Sequence, residues 1–441
     1  MDRRMIAGVA VVAVLLTGSR WISHVPVGPL YISDVLMCVA FLHVAQSSLF
    51  STERLERAYG PGILIGLLLL ITVFHLITVG GDVRLAARDA APFAYVAMAY
   101  LSASSYHRSR DHCRERTVRL LYGGLLLHFG WVAVATFVPQ VADAMPQVSE
   151  NARVMGIRTD FDVALLGVLA GMSLLRIRRG RVWRHGTVAA AALVPAFALP
   201  SRAGILACGA CVLVAVLLRA GKNGPLNART LLAAAAVVVA LLAVLPLTPG
   251  GQRLLATNGD SSTASSDVVA GAVGTKRARM TAWNRVITYT LHDPVRASVG
   301  VGFGVNFMAV SHADLPLWGR GEDRGDGLRS PHNFLLTVFA RLGFSGLTVV
   351  AALLTSLLVV VVQTVRRGPP DELTSLCVLL VISIFVVALL GVVLESPFGA
   401  APFYWAAGIL LAGHRSRQRH RGRKSEETLV PAVARVTESV G

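Results

Sequence analysis

The sequence predicts an all-α, polytopic membrane protein with about twelve transmembrane helices and one long external loop, and three observations carry that prediction. Of 441 residues, 54% are hydrophobic and only 15% charged, a balance that would give a soluble fold cores with almost no surface. The apolar residues fall in runs of roughly 20, the length that crosses a bilayer. The net charge of +17 rests on arginine far more than on lysine, of which there are only Lys222, Lys276 and Lys424, and these basic residues recur between the apolar runs. That spacing follows the positive-inside rule and argues against nucleic acid as a partner.

Taken in order, Arg3 and Arg4 precede an apolar run from Met5 to Thr17. It resembles a signal peptide, but no small-residue cleavage site follows, so it reads as a retained first helix. Further spans are expected near 30–49, 61–80, 86–105, 117–138, 160–175, 187–200, 203–218, 229–247, 335–365, 374–394 and 400–413. Loop charge sets the orientation. With a cytoplasmic N-terminus, the inner loops collect Arg54 and Arg57, the arginines from Arg108 to Arg119 and from Arg176 to Arg184, then Arg219, Lys222, Arg229, Arg366, Arg367 and the tail from Arg415 to Lys424. The short outer loops and their edges hold only Arg20, Arg84, Arg88, Arg153, Arg158 and Arg202. Both termini are therefore expected on the cytoplasmic side of the cytoplasmic (inner) membrane. The domain division is 1–247 for the N-terminal transmembrane helices and 248–331 for an external, periplasmic-side loop with part of the active site. Residues 332–413 follow as C-terminal transmembrane helices, and 414–441 as a cytoplasmic basic tail.

The long polar interval from Thr248 to Asn333 organises the rest. It carries nine basic residues, the acidic cluster Glu322, Asp323 and Asp326, and the glycine run Gly300, Gly302 and Gly304. All five cysteines lie in apolar runs or a short basic loop, so no disulfide framework is implied. Cys208-Gly-Ala-Cys211 sits inside an apolar helix and reads as small-residue packing, not as a redox or metal pair.

Four places carry polar side chains where an apolar fold does not need them. At Pro200-Ser201-Arg202-Ala203-Gly204 a guanidinium either snorkels to the interface or presents fixed donors to a phosphate. Arg279-Met-Thr-Ala-Trp283, followed by Arg285, fits a solvated helix face as well as a phosphate site. The Gly300–Gly304 turn lacks the strand-turn-helix context and the Lys-Ser/Thr of a P-loop, which excludes a nucleotide loop, and its glycines permit close backbone approach. Pro331-His332-Asn333 opens a long apolar helix, where a histidine is either an interfacial cap or a base.

Together, in this order and on one side of the membrane, these segments resemble the O-antigen ligase and polymerase superfamily of integral-membrane glycosyltransferases. The resemblance covers roughly Arg153 to Val365. Its most specific part is His332-Asn333-x-x-Leu336 followed by Gly343 and Gly346-Leu347. The chain departs from the family pattern at Arg341, where members often carry an acid, and in a longer spacing from Pro294 to Gly300. The resemblance implies transfer of a glycan from a polyprenyl-diphosphate donor to a glycan or lipid acceptor in cell-envelope polysaccharide biosynthesis, with membrane lipids as further partners. It implies His332 as general base, Arg202 and Arg279 on the diphosphate with Arg285 in reserve, and Asn333 in substrate binding. No cofactor and no metal are expected, because Arg320, Arg324 and Arg329 stand among the loop carboxylates, and single displacement would invert the anomeric centre. Ligases and polymerases share these motifs, so both remain open. The alternative is a multi-helix transporter or flippase of lipid-linked glycans, which would show internal repeats and more mid-span charge than this chain does.

Overall fold

The computed structural model describes residues 3–27, 30–48, 61–78, 83–106, 109, 111–149, 152–177, 182–222, 243, 247, 267–318, 329–369 and 371–414. These residues form a bundle of helices with two short antiparallel hairpins, Pro26–Val27 against Leu30–Tyr31 and Gln147–Ser149 against Ala152–Arg153. Its centre is the helix Thr159–Arg176, buried without interruption from Phe161 to Ser173. Around it pack Val182–Ala198, Arg202–Lys222 and Glu372–Leu390. Small residues set this close approach, since a Cβ on Gly167 would lie 2.5 Å from the Cα of Cys208, and one on Gly171 would lie 3.0 Å from Leu379. Cys208 and Cys211 are thus buried packing residues, as the apolar setting predicts, with the Cys211 thiol donating to the Leu379 carbonyl at 3.5 Å.

Four of the described helices are long and apolar enough to cross a membrane: Asp111–Phe137, residues 202–220, Phe334–Arg367 and Glu372–Leu390. That is fewer than the expected twelve, and the differences have local causes. The span expected at 86–105 is two helices, Val83–Ala94 and Ala97–Tyr106, with Pro92 in the first, where a ring without an amide N–H weakens the turn. The span at 160–175 is a helix, but Asp160, Asp162 and Arg176 make it too charged to qualify on composition alone. The span expected at 229–247 lies almost wholly outside the described residues, as do the tail from Arg415 and the Glu322–Asp326 cluster.

The helix ends sort to two opposite poles. One pole gathers Arg114 against Asp371 at 3.4 Å, Arg176 against Glu372 at 2.9 Å, and Arg219 donating to the Leu174 carbonyl at 2.6 Å. The other gathers the C-terminal end of the first helix, Arg3–Ser23, with the starts of Thr159–Arg176, Arg202–Lys222 and Phe334–Arg367. Arg114, Arg176 and Arg219, which the charge rule assigned to inner loops, share the first pole. Arg20, Arg158 and Arg202, the exceptions to that rule, share the second.

Candidate functional site

The second pole is built up from the helix Asp267–Leu291. Arg279 and Trp283 are four residues apart and so lie on one face. From that face the Trp283 indole donates to the Pro331 carbonyl at 2.6 Å, and Arg279 Nη1 donates to the Leu390 carbonyl at 3.0 Å. The first bond fixes the residue before His332, and the second ties Arg279 to the end of Glu372–Leu390.

His332 itself has φ 57, a left-handed conformation uncommon outside glycine. Hydrogen bonds hold it on both sides. The His332 amide donates to Ser330 Oγ at 3.2 Å, while Asn333 caps the following helix by accepting from the Leu336 amide at 3.1 Å. Glu395, in the single turn Val393–Glu395, accepts from Thr337 Oγ1 at 2.9 Å and also takes a hydrogen bond from Ser330. Burial pushes its carboxyl up to about 7, with the two hydroxyls and then Arg341 and Arg158 acting in the opposite sense.

Arg158 stands just before Thr159–Arg176, with Nε 2.9 Å from Asp160 Oδ1 and its guanidinium carbon 5.3 Å from the centre of the Phe398 ring. It acts on His332 together with Arg279 and Asp160. Burial, then the Arg279 and Arg158 guanidiniums, push the imidazole down to about 4, the nearby Asp160 opposing them. The ring is therefore neutral at physiological pH. Arg20, from the end of the first helix, interacts with Arg158, Asp160 and Asp162.

Of the residues singled out in the sequence, the structure brings Arg279 and His332 together. Arg202 opens its helix at the same pole: Ser201 Oγ accepts from the Gly204 amide at 3.1 Å, and a Cβ on Gly204 would lie 3.0 Å from the carbonyl oxygens of Thr159 and Asp160. Arg285 stands apart, donating to the His312 carbonyl at 2.5 Å. The Asn333 carboxamide oxygen is occupied as a helix cap. Sequence reasoning missed Arg158, Arg20 and Glu395 as parts of this pole. The two arginines were nonetheless marked as rare basic residues in outer loops, which was the available signal.

The glycine run does approach another backbone. Val301 and Gly302 amides donate to the Ala340 and Arg341 carbonyls, both at 2.9 Å, where Phe334–Arg367 breaks at Gly343 (φ 62). A Cβ on Gly300 would lie 2.2 Å from the Arg341 carbonyl group, and one on Gly343 would lie 2.5 Å from that of Ser298. Arg341, in place of the expected acid, pairs with Asp89 at 2.8 Å. Asp89 also binds Arg329 at 2.5 Å and accepts from the Gly304 amide at 3.0 Å, so a carboxylate from a distant helix anchors the loop. No group of three His, Cys, Asp or Glu among the described residues is placed to hold a metal ion.

Residues 187–351 match the family model described as O-antigen ligase. Over that stretch the chain is similar to O-antigen ligases. The match contains Arg202, Arg279 and His332, and it supports a membrane glycosyltransferase of the O-antigen ligase and polymerase type that acts on lipid-linked glycans. No curated protein matches the chain in direct comparison. Arg20, Arg158 and Glu395 come from outside the matched domain, so the pole is assembled from both sides of it.

Proposed function

We propose that this protein transfers a glycan from a polyprenyl-diphosphate donor to an acceptor hydroxyl at the outer face of the cytoplasmic membrane, in one inverting displacement and without a metal. The observation that supports this most is the neutral His332, held on a constrained turn between Arg158 and Arg279. In the reaction the bond from the anomeric carbon to the diphosphate oxygen breaks as the acceptor oxygen attacks from the opposite face. The acceptor proton passes to His332. Charge grows on the departing diphosphate, and the Arg158 and Arg279 guanidiniums, with Arg202 at the same pole, are placed to stabilise it. The same growing anion offsets the two guanidiniums that hold the imidazole pKa down, so His332 becomes a stronger base as the leaving group departs.

His332→Ala tests the assignment. It is expected to insert normally and bind the lipid-linked donor, while transfer falls by about two to four orders of magnitude. Weakened donor binding with normal chemistry would make His332 a phosphate ligand instead, and near wild-type transfer by His332→Gln would show that hydrogen bonding suffices there. The acceptor class is read from the glycan profile of a deletion strain. Single units in place of long chains identify a polymerase, and full-length glycan accumulating on the lipid carrier identifies a ligase.

A further inference from the structure

Arg158 is the N-cap residue of Thr159–Arg176, yet its own side chain makes no capping bond. A serine, threonine or aspartate at that position would accept from the first turn itself. Here the position carries a guanidinium, which Asp160 engages through Nε at 2.9 Å and Nη2 at 3.3 Å. The second acceptor comes four residues on. Asp162 Oδ2 accepts from the Arg158 amide at 2.6 Å, and the Asp162 amide donates to the Arg158 carbonyl at 2.9 Å. Arg158 is thus gripped at both its amide and its carbonyl.

The other carboxylate oxygen reaches a different helix. Asp162 Oδ1 accepts from Ser19 Oγ at 2.6 Å, where the first helix breaks (φ 51) directly before Arg20. The Trp131 indole holds the near side of that break, donating to the Thr17 carbonyl at 2.5 Å, and lies edge-on to His128 with ring centres 4.9 Å apart. His128 Nε2 in turn stands 3.9 Å from Asp162 Oδ1. Asp162, Ser19 and His128 are all fully buried. A carboxylate sealed from water, in a helix buried from Phe161 to Ser173, costs stability unless its contacts offset the loss of solvent. These contacts end on the two segments that carry Arg158 and Arg20.

We propose that Asp162 is a positioning residue for the transfer site: one carboxylate holds the Arg158 backbone and the Ser19 break in fixed register, and so sets where the Arg158 guanidinium stands beside His332. The inference rests on the transferase reading above and adds to it the residue that places one of its cations. Asp162 is fully buried and acts through Arg158, not on the substrate. A cap with only a structural role would change stability and leave the behaviour of His332 as it is.

Asp162→Ala removes both acceptor oxygens, keeps a strong helix former and takes a buried charge out of the bundle. In purified protein reconstituted into vesicles it is expected to lower kcat about a hundredfold, as displacement of a group beside the reacting atoms does. The acid limb of transfer should move upward from about 4, in the direction expected of Arg158→Gln, because the cation no longer stands beside His332. The double variant Asp162→Ala, Arg158→Gln should show the limb of Arg158→Gln alone, since no guanidinium is left to position. Should alanine prevent insertion, Asp162→Glu keeps the charge and the acceptors but displaces them by one methylene, and it should move the limb the same way. An unmoved limb in whichever variant inserts, or additive shifts in the double variant, overturns the proposal. A second readout needs no transfer: NMR of isotope-labelled histidine rings, with His332 assigned by its loss in His332→Ala, should show the same upward shift in its titration. That shift in a protein that transfers no donor would uphold the positioning role and sink the transferase reading.

Discussion

His332 sits under two guanidiniums, and the consequence is measurable as a pH profile. An imidazole near its ordinary value of about 6.5 loses its basic form across the physiological range, but here burial, Arg279 and Arg158 outweigh Asp160 and take it down to about 4. The base form is the active one, and it persists above the lowered value. Transfer should therefore stay level as pH falls from 8 through 6 and decline only on approach to about 4, so a wild-type acid limb near 6.5 would contradict the assignment. Arg158→Gln removes one of the two cations and should move that limb upward, a shift that a merely structural arginine would not produce. The arginines also differ from lysines in shape. If the planar fork matters, Arg279→Lys and Arg202→Lys lose nearly as much transfer as the alanine variants, and full activity with lysine would reduce the contact to a point charge.

At the scale of elements, the glycine run and the break in Phe334–Arg367 form one joint. Gly300 and Gly343 both have positive φ and face each other across a gap that admits no side chain. Gly343→Ala combines that strain with an overlap on Ser298 and should lower stability by about 2–3 kcal/mol. Gly130→Ala, with open space around it, should stay within about 0.5 kcal/mol of wild type. Thermal unfolding in detergent separates the two, and equal melting temperatures would mean the joint is not under constraint. Asp89 holds the other side of the joint. Asp89→Asn strands Arg329 and Arg341, both buried, and should cost about 3–5 kcal/mol. The sequence made the glycine turn legible as a place of close approach, because glycines at alternate positions have little other use. It did not reveal Asp89 as the partner of Arg341, because 252 residues separate them and one aspartate in a short amphipathic helix carries no pairing signal. Asn333 was legible as a helix start, and its engagement as a cap follows from its own position. The distance of Arg285 from the pole was not legible, since a six-residue offset only becomes a different face once the helix is placed.

For the whole molecule, the sorting of helix ends into two poles gives the charge asymmetry a three-dimensional counterpart. Arg114, Arg176 and Arg219 meet at one end and Arg20, Arg158 and Arg279 at the other, as antiparallel helices of bilayer length require. A reporter fused near Ser265 should behave as external and one after Arg417 as cytoplasmic, and a shared location would break the even crossing count. Composition alone made the helical, membrane-embedded class legible. The number of crossings was less so, because Pro92, Pro195 and the acids at the start of Thr159–Arg176 interrupt runs that hydropathy joins. The central claim is that the pole around His332 performs transfer and does not merely pass a lipid across. Its most direct measurement is release of free polyprenyl diphosphate from a glycan-bearing donor by purified protein in vesicles, with acceptor present. Release by wild type that is lost in His332→Ala with donor still bound is the expected result. Donor that changes leaflet with its glycan still attached, equally in both proteins, would contradict it.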